Sequence, residues 1–310
     1  MVARMALFAA AVAAFAQPRE VTVSDAASLQ AAIDGAGSKG AVIRLRPGTY
    51  KQVFVIAKPH IQLRGTGAKP EDVMLTFDNS AGTAGGTTRS ASVTVSGDDF
   101  YAENLTFENS FSRNRPLTQQ GSQAVALKVT GDRAVFRRVR FLGYQDTLYA
   151  NNGRQYFADC YIEGNVDFIF GNAPAFFDRC EIHALAHPVV YLTAQSRLTA
   201  GDKSGYVFHR CRITAEKGAE RVYLGRPWRA YSTVIWLNSE MPAAIVPEGW
   251  HEWEHDGKPS LPTSFYAEYR STGPGARPDS RRQLTDAEAA QFALPAFLAG
   301  DDQWDPRNIH

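Results

Sequence analysis

The sequence predicts an all-β fold: a solenoid of short parallel strands, opened by a short N-terminal helix and closed by a C-terminal tail of loops and helix. Three observations predict it. A phrase recurs as Phe136-Arg137-Arg138-Val139-Arg140-Phe141, Phe157-Ala158-Asp159-Cys160-Tyr161-Ile162, Phe177-Asp178-Arg179-Cys180-Glu181-Ile182 and Phe208-His209-Arg210-Cys211-Arg212-Ile213. Its equivalent positions Val139, Cys160, Cys180 and Cys211 are separated by 21, 20 and 31 residues, the spacing of a stacked repeat. Apolar residues alternate within each phrase, as inward-facing strand positions do. In such a stack one period in sequence is one strand spacing in space, about 4.8 Å.

The elements follow in order. Ser28 to Ile33 reads as a short helix covering the first coil, and Val42–Leu45 as a strand ending at the turn Pro47-Gly48. Val53–Ile56 and Ile61–Gly65 are further strands, each closed by a turn signal. The polar stretch from Asp78 to Thr88 is a long surface loop of the kind that borders sites. Strands then run through Ser92–Val95, Leu105–Phe107, Ala124–Val129, the four phrases and Val234–Leu237. From about Pro242 the period dissolves into Trp-, Pro- and Gly-rich loops, and Asp286 to Leu294 reads as one amphipathic helix. This tail packs along the outside or caps the last coil, whose open end is an unpaired sheet edge. The domain reading is a signal peptide over residues 1–16 and one domain over 17–310, with coils over about 40–240 and the tail over about 241–310.

Composition narrows the function. The 310 residues are 44% hydrophobic, enough for a sizeable core, and Lys+Arg 33 against Asp+Glu 32 excludes nucleic-acid binding through bulk charge. Arg4, an apolar run from Met5 to Ala16 and the ending Ala14-Phe15-Ala16 have the form of a cleaved leader, too short to span a bilayer. The protein is therefore expected to be secreted or periplasmic, off the membrane, and a monomer. Cys160, Cys180 and Cys211 share one repeat position. Cys160 and Cys180 on adjacent coils lie within disulfide reach, and a ladder of buried thiols is the alternative. No Cys-x-x-Cys occurs and the histidines are scattered, so no metal site is expected.

The repeat also says which polar residues meet. Seven residues beyond Val139 and Cys160 stand Asp146 and Asp167, which are 21 apart; Gln123 and Gln145 are 22 apart. Two carboxylates roughly 5 Å apart in a partly dry cleft cannot both ionise freely, so one keeps a proton near neutrality. A protonated acid beside an ionised nucleophile suits acyl transfer, and two side-chain amides can donate to a developing oxyanion. A solvent-facing Asp stack is the bland alternative. Leu224-Gly225-Arg226-Pro227-Trp228 adds an arginine fixed between Gly and Pro with an indole beside it, a carboxylate clamp next to a sugar platform. Tyr144, Phe168, Trp228 and Trp250 flank the polar set as candidate groove aromatics. His187, seven past Cys180, falls in the aspartate column as a bystander. Arg89 adds a positive charge to the 78–88 loop.

These stretches resemble the pectin methylesterases. The matching residues are Gln123–Leu127, Gly143-Tyr-Gln-Asp-Thr-Leu-Tyr149, Gly164-Asn-Val-Asp-Phe-Ile-Phe-Gly171, Leu224–Trp228 and Pro247-Glu-Gly-Trp250, with a weaker echo at Glu268–Ala276. The resemblance implies a right-handed single-stranded parallel β-helix and hydrolysis of galacturonate methyl esters in pectin, with release of methanol. It implies Asp167 as nucleophile, Asp146 as acid and then base, Gln123 and Gln145 as oxyanion donors, and Arg226 as the residue that orients Asp167. Thr88, Tyr144, Phe168, Trp228 and Trp250 fall where the family lines its groove. It implies pectin as partner, no cofactor, and a Cys160–Cys180 disulfide. Four other readings compete: an acyl-thioesterase on the same scaffold, glycoside hydrolysis by the paired acids, a non-catalytic sugar-binding or adhesion solenoid, and a calcium-dependent lyase, which would want a cluster of acidic ligands where only two aspartates converge. The groove tryptophans count against the first. The glutamines and Arg226 have no task in the second, and buried paired carboxylates are costly in the third.

Overall fold

The computed structural model describes residues 18–114 and 120–309; the leader assigned to residues 1–16 lies outside the described residues. Every strand pairing between the named strands is parallel, in sheets of ten, six and seven strands with a two-stranded side sheet. One coil visits the three long sheets in turn, as in Ala134–Arg137, Arg140–Leu142 and Leu148–Ala150, before Gln155–Ala158 begins the next. The right-handed parallel β-helix expected from the sequence is the fold.

The recurrent phrase is one corner of this coil. Its third residue, Arg138, Asp159, Arg179 or Arg210, is left-handed, with φ of 49°, 53°, 54° and 53°. Asn104, Asn238 and Arg270 hold the same bend on other coils. A single left-handed residue turns the chain between two flat strands without a loop, and the next residue points inward. The phrase's first residue builds the core. Phe136, Phe157, Phe177, Phe208 and Trp236 stack ring on ring at 4.8, 4.6, 4.5 and 4.0 Å with planes within 10°. In-register parallel strands impose that offset stack, which adds to the burial of each ring.

The cysteines follow the same logic against expectation. Cys160, Cys180 and Cys211 are buried free thiols, so the Cys160–Cys180 disulfide is corrected. Identical positions on stacked coils take the same orientation. Each Sγ meets a carbonyl of the preceding phrase as well as a neighbouring thiol: Phe136 O at 3.6 Å for Cys160, Phe157 O at 3.5 Å for Cys180, Phe177 O at 3.4 Å for Cys211.

The two ends are covered differently. Helix α1 (Ala26–Asp34), started by a capping box between Asp25 and Ser28, buries Leu29, Ala32 and Ile33 over the first coil. The tail lies along the outer face of the ten-stranded sheet, where Leu284, Ala289, Leu298 and Trp304 pack on Tyr156, Phe176, Val207 and Ile235. The single helix expected over Asp286–Leu294 is two. Beyond the short α2 (Ala81–Ala84) these are α3 (Asp286–Gln291) and α4 (Leu294–Leu298), and Pro295 sits in the first turn of α4, where its missing N–H costs nothing. No helix among the described residues is long and apolar enough to cross a membrane.

Candidate active site

The site forms where the chain enters the six-stranded sheet. Leu148, Ile169 and Thr193 are in register on neighbouring strands, so the residues two before them, Asp146, Asp167 and Tyr191, share one column. Asp146 N–H donates to Val166 O at 3.1 Å, locking the first step. Both aspartates are left-handed, at φ 65° and 52°, a conformation Asp tolerates better than most residues. Such bends cost on the order of 1 kcal/mol or more and cluster at functional sites. Here the bend sends both carboxylates outward while Thr147 and Phe168 turn into the core.

That bend corrects the Phe168 assignment. Its ring is fully buried in the main core, and only glycine fits opposite it, since a Cβ on Gly164 would sit 2.2 Å from Phe168 Cβ. The column's third member is Tyr191 and not His187, which lies in the side-sheet strand His187–Tyr191 with its Nδ1 against Val189 O. The longer coil that follows Cys180 displaces the count.

Arg226 closes on Asp167 from two coils further on, across the coil that carries Tyr191 and Thr193. Its Nε and Nη2 donate to Oδ1 and Oδ2 at 2.8 and 2.6 Å, a bidentate pair. Its backbone N–H is fixed to Thr193 O at 3.0 Å, and a Cβ on Gly225 would lie 2.0 Å from Thr193 Oγ1, so glycine is required there. Gln123 and Gln145 stand on adjacent coils, joined through Ala124 N–H to Gln145 O at 3.1 Å. Ser122 Oγ donates to Gln145 Oε1 at 3.4 Å, which leaves the Gln145 amide nitrogen free of that contact.

These groups line one cavity of about 490 Å³ with Thr87, Thr88, Tyr149, Phe170, Ala194, Trp228 and Trp253. Tyr149 and Phe170 stack at 4.2 Å, and Trp228 meets both edge-on at 6.5 and 5.9 Å. Thr88 accepts from Lys128 Nζ at 2.7 Å. Of the five groove residues expected, Thr88 and Trp228 line the cavity. Tyr144 and Trp250 do not, and Trp250 packs on Tyr266 at 4.3 Å against the core. The sequence reading missed Tyr149, Phe170 and Trp253. Strand alternation carried the signal for two of them, because Leu148-Tyr149-Ala150 and Ile169-Phe170-Gly171 each place the middle ring outward. Arg89 turns back onto the Gly85 carbonyl of its own loop.

Burial pushes Asp146 well above the usual carboxylate range, the neighbouring Asp167 adds to the shift, and Arg226 only partly opposes it. Burial also raises Asp167, but the Arg226 hydrogen bonds and charge pull it back. The pair therefore loses its first proton at Asp167, and Asp146 stays protonated to higher pH.

A parallel β-helix here carries two unequal carboxyls, two amides and an arginine clamp in an aromatic cleft, the groups that an acyl-transferring hydrolase needs. Residues 9–301 match the sequence profile of the family described as Pectinesterase. "Pectinesterase 31" of Arabidopsis thaliana is 41% identical over 293 residues, covering 88% of this chain and 89% of that protein. Pectin methylesterase from carrot superposes with a TM-score of 0.83 at 31% identity, over 94% of this chain and 96% of that one. Pectin methylesterase PemA from Erwinia chrysanthemi gives 0.82 at 31% identity, over 94% and 99%. A pectin methylesterase in complex with a hexasaccharide gives 0.80 at 33% identity, over 89% and 93%. The chain belongs to the pectinesterase family and is a carboxylic ester hydrolase.

Proposed function

We propose that this chain hydrolyses the methyl esters of galacturonate units in pectin through an acyl-enzyme formed on Asp167. The observation that carries the reading is the aspartate column, in which Arg226 donates to both oxygens of Asp167 while burial and the Asp167 charge favour the proton on Asp146. An Asp167 oxygen attacks the ester carbonyl, and the oxyanion that develops is met by the amides of Gln123 and Gln145. As the carbonyl re-forms, the C–OCH3 bond breaks and Asp146 gives its proton to the departing methoxide, releasing methanol. Asp146, now a carboxylate, takes a proton from water. The resulting hydroxide attacks the mixed anhydride, breaks its bond to Asp167 and leaves a free galacturonate carboxyl. Atoms balance at each step: one ester and one water give one acid and one methanol. Trp228, with the Tyr149–Phe170 stack, forms the platform for the sugar ring.

Residues 1–16 are the export leader in this reading, and the coils and tail act as one domain working as a monomer outside the cytoplasm. The test is methanol release from highly methylated pectin by wild type and by Asp167→Asn. Release by wild type that disappears in a variant with an unchanged circular dichroism spectrum supports the assignment. Release retained by Asp167→Asn overturns it.

A further inference from the structure

We propose that Tyr191 and Trp253 are positioning residues for Arg226, clamping the two faces of its guanidinium so that both donors stay aimed at Asp167. The inference rests on the reading of Asp167 as nucleophile. The guanidinium carbon lies 3.9 Å from the centroid of the Tyr191 ring and 4.1 Å from that of Trp253. Two rings at contact distance define the plane of the group between them. A free arginine side chain samples many rotamers, and a bidentate pair tolerates little rotation before one of its two bonds is lost.

Each ring is itself held. Tyr191 occupies the aspartate column, directly beyond Asp167, and stacks on Tyr223 at 5.5 Å. Trp253 comes from the tail loop, which is pinned by His251 N–H to Gly225 O at 3.1 Å. The Glu252 carboxylate stakes that loop by accepting from the backbone N–H groups of Trp253 at 2.9 Å, Ser260 at 2.7 Å and Leu261 at 3.1 Å. Trp253 also lines the cavity, whereas Tyr191 does not, so Tyr191 is the cleaner probe of positioning. The titratable and charged groups around the clamp are Asp146 and Asp167 in front, Tyr223, Arg221 and His251 beyond Tyr191, and Glu252 and the stacked His255 beside Trp253.

The experiment compares Tyr191→Leu, Tyr191→Phe, Trp253→Leu and Trp253→Phe with wild type in methanol release across pH, with folding checked by urea midpoint. A desolvated cation–ring contact supports an expected fall in kcat of roughly tenfold to thirtyfold for Tyr191→Leu. KM should stay within about twofold, because Tyr191 is not part of the cavity wall. The acidic limb of the kcat/KM profile should move to higher pH, as Asp167 loses part of its fixed partner, and Tyr191→Phe should restore both. The Trp253 pair should show the same limb shift and the same rescue. A wild-type acidic limb in folded Tyr191→Leu overturns the proposal, and so does a Tyr191→Phe variant as damaged as the leucine one. Failure of the nucleophile assignment would appear separately, as activity retained by Asp167→Asn.

Discussion

Replacing Asp146 with Asn should abolish turnover and, at neutral pH, make the protein more stable. Asp146 is 8% exposed, and its proton is favoured first by burial and then by Asp167, against the opposing charge of Arg226. Two like charges about 5 Å apart at an effective dielectric of 20 repel by ~3 kcal/mol, and Arg226, committed to Asp167, offsets only part. Unfolded, Asp146 ionises near 3.8; folded, it holds its proton to higher pH. Its stabilising contribution is thus complete below that value and lost as pH climbs towards the folded pKa. At 1.36 kcal/mol per pH unit from the unfolded value to neutrality, the loss has a ceiling of ~4 kcal/mol. Asn is neutral in both states and carries no such loss. Thermal unfolding of Asp146→Asn and wild type should therefore coincide near pH 3.5. At pH 7 the variant should melt several degrees higher, at about 2 °C per kcal/mol for a chain of this size. Asp167→Asn should do the opposite and lose up to ~3 kcal/mol, because it leaves the partly buried Arg226 guanidinium without its carboxylate. A folded Asp146→Asn no more stable than wild type at pH 7, or equally shifted at both pH values, would refute the reasoning. The expected trade of stability for activity is common where a catalytic group is held in an unfavourable state.

Two further outcomes are expected. Unfolding without reductant should expose three thiols per chain to a thiol reagent, and dithiothreitol should leave the melting temperature unchanged, because all three cysteines are free; a single reactive thiol would restore the Cys160–Cys180 bridge. At the mouth of the cavity, Lys128 Nζ lies 5.9 Å from the Tyr149 ring centroid and the Arg229 guanidinium 4.9 Å from that of Trp228. Neither cation belongs to an ion pair among the described residues, so Lys128→Met with Arg229→Gln should lower kcat/KM on partly de-esterified pectin relative to fully methylated pectin. At ~0.2–1 kcal/mol per exposed charge pair the change is up to about fivefold per cation, shrinking with added salt. An unchanged ratio at low salt would mean these charges do not meet the substrate.

What was legible in the sequence and what was not divides along the regularity of the coil. Where the period is 21 or 20, position arithmetic holds: it stacks Phe136, Phe157 and Phe177, and it puts Asp146 beside Asp167. The 31-residue interval from Cys180 to Cys211 breaks the count, so His187 was placed in a column that Tyr191 occupies. The ring assignments failed for a local reason. A left-handed residue at Asp146 and Asp167 inserts an extra turn of direction, so the next residue goes inward and the third goes outward. Nearness in sequence pointed to Tyr144 and Phe168, whereas the rings that face the cavity are Tyr149 and Phe170, each three residues past its aspartate. The cysteines failed for the converse reason, since register brings the thiols together but also gives each the same carbonyl acceptor, so adjacency alone does not make a bond.

The same bend links fold and chemistry. At the phrase corner, Arg138, Asp159, Arg179 and Arg210 use the left-handed conformation only to turn the chain. At Asp146 and Asp167 it also lifts a carboxyl out of a wall whose next residues, Thr147 and Phe168, are fully buried. An aspartate in a regular strand position would point either into the core, where its charge could not be satisfied, or squarely out from a flat sheet, where water would level the two acids. The bend sets each carboxyl in the angle between two sheets, dry enough to separate their protonation and open enough to admit an ester. Proton asymmetry in this site is thus a property of the backbone before it is one of the side chains. The reach of Arg226 across the following coils then decides which of the two carries the charge.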